Sequence, residues 1–223
     1  MPEYKTEPLV VPSVSGLLPE GERSRRVALT SFVPEGKRVV VPTREVVCYE
    51  CGKRSRVPSA ALSANCIHCH AHLDMSDIEL RPGSRRLTVR TLGDVTVQQD
   101  AVLSHLSIVC NNLTVMGRVS GDFLCRGRMT LGVTTRIEGK VNVDELVVEK
   151  AVNAVFANGV HARNVDIQGR LTGRIDATGR VMIRRSAELC GDCYCPEVFR
   201  EEESMLHGHW HRTEKPSVAQ AAD

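Results

Sequence analysis

From about residue 85 the chain settles into short alternations of apolar and polar residues, punctuated by glycine and with almost no helical periodicity. Five segments align without gaps: VSGDFLC from Val119, IEGKVNV from Ile137, VFANGVH from Val155, LTGRIDA from Leu171 and LCGDCYC from Leu189. Their starts lie 18, 18, 16 and 18 residues apart. A weaker copy, VLSHLSIVC from Val102, and a last one, LHGHWH from Leu206, each sit 17 residues from their neighbour. Every copy opens on Val, Ile or Leu. Two residues on comes a small residue: Ser104, Gly121, Gly139, Ala157, Gly173, Gly191 or Gly208. Four residues on comes Leu106, Phe123, Val141, Gly159, Ile175, Cys193 or Trp210. Positions i, i+2 and i+4 of a strand share one face, so these columns predict an inward stripe. The intervening Asp122, Glu138, Lys140, Arg174 and Asp176 point out. A second short strand lies between copies: LTV at Leu113, MTL at Met129, VDI at Val165 and VMI at Val181.

One such repeat cannot bury its apolar side alone, but stacked copies bury it continuously. Residues 85–212 therefore predict an all-β fold, a parallel β-helix of about seven coils, on the order of 30–35 Å long at the usual strand spacing. The small-residue column suits a tight inward bend of the chain. A hexapeptide-type helix of the acyltransferase kind needs a six-residue step, which spacings of 16 and 17 break. A sandwich would show turns but no columns in register.

Upstream, residues 48–72 read CYECGKRSRVPSAALSANCIHCHAH. Two Cys-x-x-Cys pairs, Cys48/Cys51 and Cys66/Cys69, separated by fourteen residues, are the ligand set of a closed, structural Zn2+ site. Gly52 follows the first pair where such a knuckle needs a positive φ. This places a zinc-ribbon module at residues 41–82. His68, His70 and His72 crowd the second pair, but four cysteines already fill the shell. Cys193 and Cys195 fall in inward columns and read as core, with Cys190 outward. His207, His209 and His211 fall on the outward face of the last strand, where they read as an exposed polar face.

The formal net charge of +2 gives no global pull toward polyanions. The first 90 residues carry 14 Lys/Arg against 10 Asp/Glu, and the remainder 15 against 17. Residues 1–40, with Arg23, Arg25, Arg26, Lys37 and Arg38, read as a flexible basic arm, and residues 213–223 as a disordered tail. Four Phe, three Tyr and one Trp are few for a protein that stacks bases. Neither a secretory pattern nor a membrane-length apolar run is found. Nine cysteines, four of them in paired Cys-x-x-Cys units, fit thiols and metal in a reducing cytoplasm. No catalytic constellation stands out: His105 and His161 occur singly, and no phosphate-cradling glycine motif is found.

The recurrent units VSGDF, IEGKV, LTGRI and LCGDC, led by GRV or GRL as in GRVSGD (117–122) and GRLTGRI (169–175), resemble those of the bactofilins. The family resemblance covers residues 85–212 and implies a right-handed β-helix. It also implies end-to-end assembly with copies of itself into nonpolar, nucleotide-independent cytoskeletal filaments, without enzymatic activity. The cysteine module resembles that of zinc-ribbon-bearing members. An open β-helix end must be capped or used: Trp210, in the last inward column, reads either as a plug that caps the core or, with Leu206 and Phe199, as a polymerisation interface. Further partners on this reading are a membrane surface or envelope and division proteins. The alternative is a zinc-ribbon module binding nucleic acid or protein on a β-helical scaffold, through Lys53, Arg54, Arg56, Arg81, Arg85, Arg86 and Arg90.

Overall fold

The computed structural model of the protein describes residues 42–214, so the basic arm and most of the tail lie outside the described residues. Within them every regular element is a strand. From Ile78–Leu80 to Trp210–Arg212 all strand pairings are parallel, and the strands form three stacks that the chain visits in turn.

The first stack places Ile78, Val95, Leu113, Met129, Leu146, Val165, Val181 and Val198 one above another. The second carries Val89, Ile108, Phe123 and Val141, continuing through Val160, Ile175, Cys193 and Trp210. The third comes in two pieces: Leu103 against Val119, and Thr135, Ala154, Leu171, Leu189 and Leu206. Between the pieces, Thr135 Oγ1 lies 3.5 Å from both the N and the O of Val119. The result is a β-solenoid of about eight turns, one more than the repeats indicate. Its inward residues form one continuous core from Leu80 to Cys195. Fully burying each of these aliphatic side chains contributes about 1.5–3 kcal/mol, which is what a repeat in isolation lacks.

The extra turn lies at the start. Ile78–Leu80 and Thr88–Arg90 are its strands, joined by residues 81–87 in place of a third strand. Two repeat copies are also displaced from the expected register, the first by one residue and then by two, the second by one. Leu103, not Val102, lies opposite Val119, and Ile108, not Leu106, lies opposite Phe123. His105, at φ 58°, takes up the additional residue, and Val102 is left 72% exposed. Likewise Phe156, not Val155, lies opposite Ile137, and Val160, not Gly159, opposite Ile175. Gly159, at φ 76°, belongs to the turn between them. A one-residue insertion exchanges inward and outward faces, so Ser104 and Ala157 are exposed and leave the small-residue column.

The remaining glycines of that column are sterically required. At Gly121, φ is 140° and a Cβ would lie 2.0 Å from Leu106 O. Turns stack backbone on backbone here, and the bend expected at this column is where they do so.

Outward positions carry ion pairs between successive turns. Arg184 joins Asp166 (2.9 Å) to Glu201 (3.0 Å), and Arg185 meets Glu203 at 2.8 Å. The Arg185 N–H and the Arg184 side chain hold the Glu201 carboxyl below its usual range, the Arg185 side chain does so for Glu203, and the His209 N–H for Asp192. A carboxylate with a lowered folded pKa stabilises fully above the usual range, and that contribution is lost as pH falls through the lowered value. The urea midpoint is therefore expected to hold level from about pH 7 to 5 and to fall below about pH 4. Arg185→Gln removes the side-chain partner of Glu203 alone and should make that acid limb slightly shallower; an unchanged limb in the variant would assign the loss to the other carboxylates.

Candidate metal centre and rod end

Ahead of the solenoid, two antiparallel hairpins each carry a Cys-x-x-Cys at the tip. Thr43–Val47 pairs with Arg54–Pro58 around residues 48–53, and Ser63–Asn65 pairs with His72–Asp74 around residues 66–71. The two tips share one hydrogen-bond pattern. Cys48 N donates to Lys53 O (3.0 Å) and Gly52 N to Cys48 O (3.0 Å); Cys66 N donates to Ala71 O (2.9 Å) and His70 N to Cys66 O (2.9 Å). Both corner residues are left-handed, Gly52 at φ 71° and His70 at φ 58°. The tight turn that Gly52 supplies by lacking a Cβ is reproduced in the second tip by a histidine.

The four Sγ atoms lie within 4.8 Å of one another. Cys48 Sγ is 3.7 Å from Cys69 Sγ, and Cys51 Sγ is 3.7 Å from Cys66 Sγ. A tetrahedral ion with metal–sulfur bonds of about 2.3 Å sets its ligands about 3.8 Å apart. The spacing fits. Backbone N–H groups of Cys69 and His68 lower the Cys66 thiol to about 6. At Cys69 the Ala71 N–H acts in the same direction, but burial and the three neighbouring sulfurs prevail and push it to about 12. Four thiols this close cannot all ionise unless a cation balances them. The donor set can therefore coordinate a metal ion, with four sulfurs for the four positions of a tetrahedral shell.

None of the neighbouring histidines joins the cluster. His68 Nε2 lies 3.2 Å from Arg54 O, His70 forms the corner, and the carbonyl of His72 accepts the Tyr49 hydroxyl at 2.5 Å. Among the described residues no second group of metal-ligating side chains is found. Cys193 and Cys195 are buried in the core, and Cys190 is half-buried beside Glu188. The terminal histidines are all exposed: His207 beside Glu188 (3.3 Å), His209 beside Asp192 (3.6 Å), and His211 stacked on Tyr194 at 4.5 Å. Three of the basic residues of the nucleic-acid alternative pair with carboxylates: Arg54 with Glu45, Arg81 with Glu79 and Arg90 with Glu50.

At the other end, Glu197–Arg200, Met205–His207 and Trp210–Arg212 form the last turn, each paired on one side only among the described residues. Phe199 is 48% exposed, Met205 55% and Trp210 44%, while Leu206 and Val198 pack partly into the core. Trp210 continues the inward column above Cys193 and donates its indole N–H to Cys195 O at 3.0 Å. Leu206, Trp210 and Phe199 thus lie on one terminal turn. Met205, which the repeat pattern does not mark, joins them.

The family model for bactofilin, described as polymer-forming cytoskeletal, matches residues 82–156 and 151–211, more than half of the chain. The chain belongs to the bactofilin family. It is similar to Bactofilin BacO of Myxococcus xanthus (strain DK1622), with 23% identity over 122 residues, 55% of this chain and 91% of that protein. No solved structure matches it. Bactofilins are structural, polymer-forming proteins and not enzymes, and the expectation of no catalytic role rests on that membership.

Proposed function

We propose that this bactofilin is a right-handed solenoid subunit that joins end to end through its last turn into nucleotide-independent filaments. The observation that carries the reading is the terminal turn, whose strands are paired on one side only among the described residues and where Phe199, Met205 and Trp210 are about half exposed beside the inward Val198 and Leu206. Apolar groups at an open solenoid end are a liability unless another copy covers them. Leu206, Trp210 and Phe199 form the polymerisation interface. Cys48, Cys51, Cys66 and Cys69 hold one structural Zn2+, making the two hairpins a zinc-ribbon module that stabilises the rod or docks the filament. The reduced thiol set and the zinc suit the cytoplasm. Partners beyond the protein itself are a membrane surface or envelope and division proteins; among the described residues no helix is long and apolar enough to cross a membrane. Sedimentation in nucleotide-free buffer tests the assembly, with pelleting expected and a persistent monomer at all concentrations contradicting it.

Metal analysis tests the zinc separately. One zinc per chain is expected, and Cys48→Ser should release it and melt the two hairpins without unfolding the solenoid. Well under one atom per chain in the wild type would remove the zinc assignment.

A further inference from the structure

The cysteine cluster is gripped by the solenoid. Arg126 follows Cys125 in the second stack, where pairing with Val141–Val148 shifts register between Cys125 and Arg128. Such a bulge leaves a residue out of the ladder and re-aims its side chain. Here it turns the guanidinium onto the first hairpin: Arg126 Nη1 donates to Val47 O at 2.6 Å and Nη2 to Cys48 O at 3.0 Å. The Cys48 carbonyl also receives the Gly52 N–H that closes the knuckle. Between the two cysteines, the Glu50 carboxylate pairs with Arg90 of the first turn, while the Glu50 N–H points at Cys48 Sγ at 3.3 Å.

The second hairpin is tied at its exit. Asp74 O accepts the Leu92 N–H at 2.7 Å, and buried Thr91 donates its hydroxyl to Ser76 O at 2.7 Å. Leu92 packs against the apolar cluster of the hairpins, which includes Cys48 and Cys66. Both halves of the ligand set are thus held from the same early turns of the solenoid.

We propose that Arg126 is a positioning residue for the metal centre. The solenoid, through Arg126, holds the first knuckle in ligating geometry, and the bound metal in turn holds the hairpins on the solenoid. This rests on the reading of the four cysteines as a metal site. A ligand's backbone carbonyl fixed by an outer partner is an ordering cost the metal need not meet, and such coupling between metal binding and docking is reciprocal. The hairpins are then not an autonomous ribbon on a tether: metal loading and attachment to the rod are one equilibrium.

The test uses the full chain and zinc, with affinity read by chelator competition. Arg126→Met keeps the aliphatic stem and removes both donors; it should retain one zinc per chain with affinity lowered roughly 10–100-fold. Arg126→Lys, which cannot serve two carbonyls in one plane, should fall between. Arg128→Met, whose partner is Glu145, should leave affinity unchanged. A second readout needs no variant: chelating the wild type should accelerate hydrogen exchange at the Leu92 amide. Equal affinity in Arg126→Met, or Leu92 protection unchanged by chelation, overturns the coupling and leaves the metal centre standing. A wild type that binds no zinc overturns both.

Discussion

Replacing Gly139 with alanine is expected to destabilise the solenoid by about 3 kcal/mol or more, at the upper end of what overpacking costs. The added Cβ would lie 1.9 Å from Gly121 O and 2.2 Å from Gly121 C. Both are backbone atoms of the turn beneath, so no side-chain rotation relieves the clash and the turns must part. Parting them weakens the parallel ladder on either side of Phe123 and Val141, which face each other in the core. The measurement is the urea unfolding midpoint of the purified variant. A midpoint equal to the wild type would mean that the turns are not in backbone contact at this column. Lys140→Ala, one residue away and exposed, is the control, with no loss expected.

The second large effect is at the rod end. The double variant Phe199→Glu, Trp210→Glu should abolish assembly while leaving a folded monomer. Both side chains are about half exposed in the subunit, so the substitutions remove less core than a buried change would. In an end-to-end contact the same positions would become desolvated charges facing apolar surface, which is strongly unfavourable without a partner. The expected result is a shift from pellet to supernatant with an unchanged circular dichroism spectrum. Assembly at wild-type levels in the double variant would move the interface away from the last turn. Loss of Trp210 also removes the indole bond to Cys195 O, so a small fall in thermal stability is expected beside the loss of assembly.

Much of the solenoid is legible in the sequence because its stacking contact is a steric requirement repeated every turn. Gly121, Gly139, Gly173, Gly191 and Gly208 mark the column where a Cβ would strike the neighbouring backbone. What hides the rest is local. Residues 81–87 replace a strand, so the first turn offers no Val-x-Gly-x-Val unit. The inserted residues near His105 and Gly159 exchange inward and outward positions without changing composition, and hydrophobicity alone aligns Val102 and Val155 one residue out. The four cysteines are legible because each knuckle is a contact within one short turn. Arg126 is not: it lies 78 residues from Cys48, its partner is a main-chain carbonyl that any residue type would present, and the bulge that aims it leaves no sequence mark. Phe199, Leu206 and Trp210 are legible only as apolar residues at the end of a repeat array, and Met205 beside them falls in no column.

The account's central claim is that the solenoid continues across subunits as one rod. Cryo-electron microscopy of the full chain, assembled in nucleotide-free buffer, tests it most directly. Filaments are expected with a strong axial repeat of about 4.8 Å, the spacing of stacked strands, and a subunit rise on the order of 40 Å for eight turns. Only monomers, or filaments whose strand spacing runs across the axis instead of along it, would contradict the account.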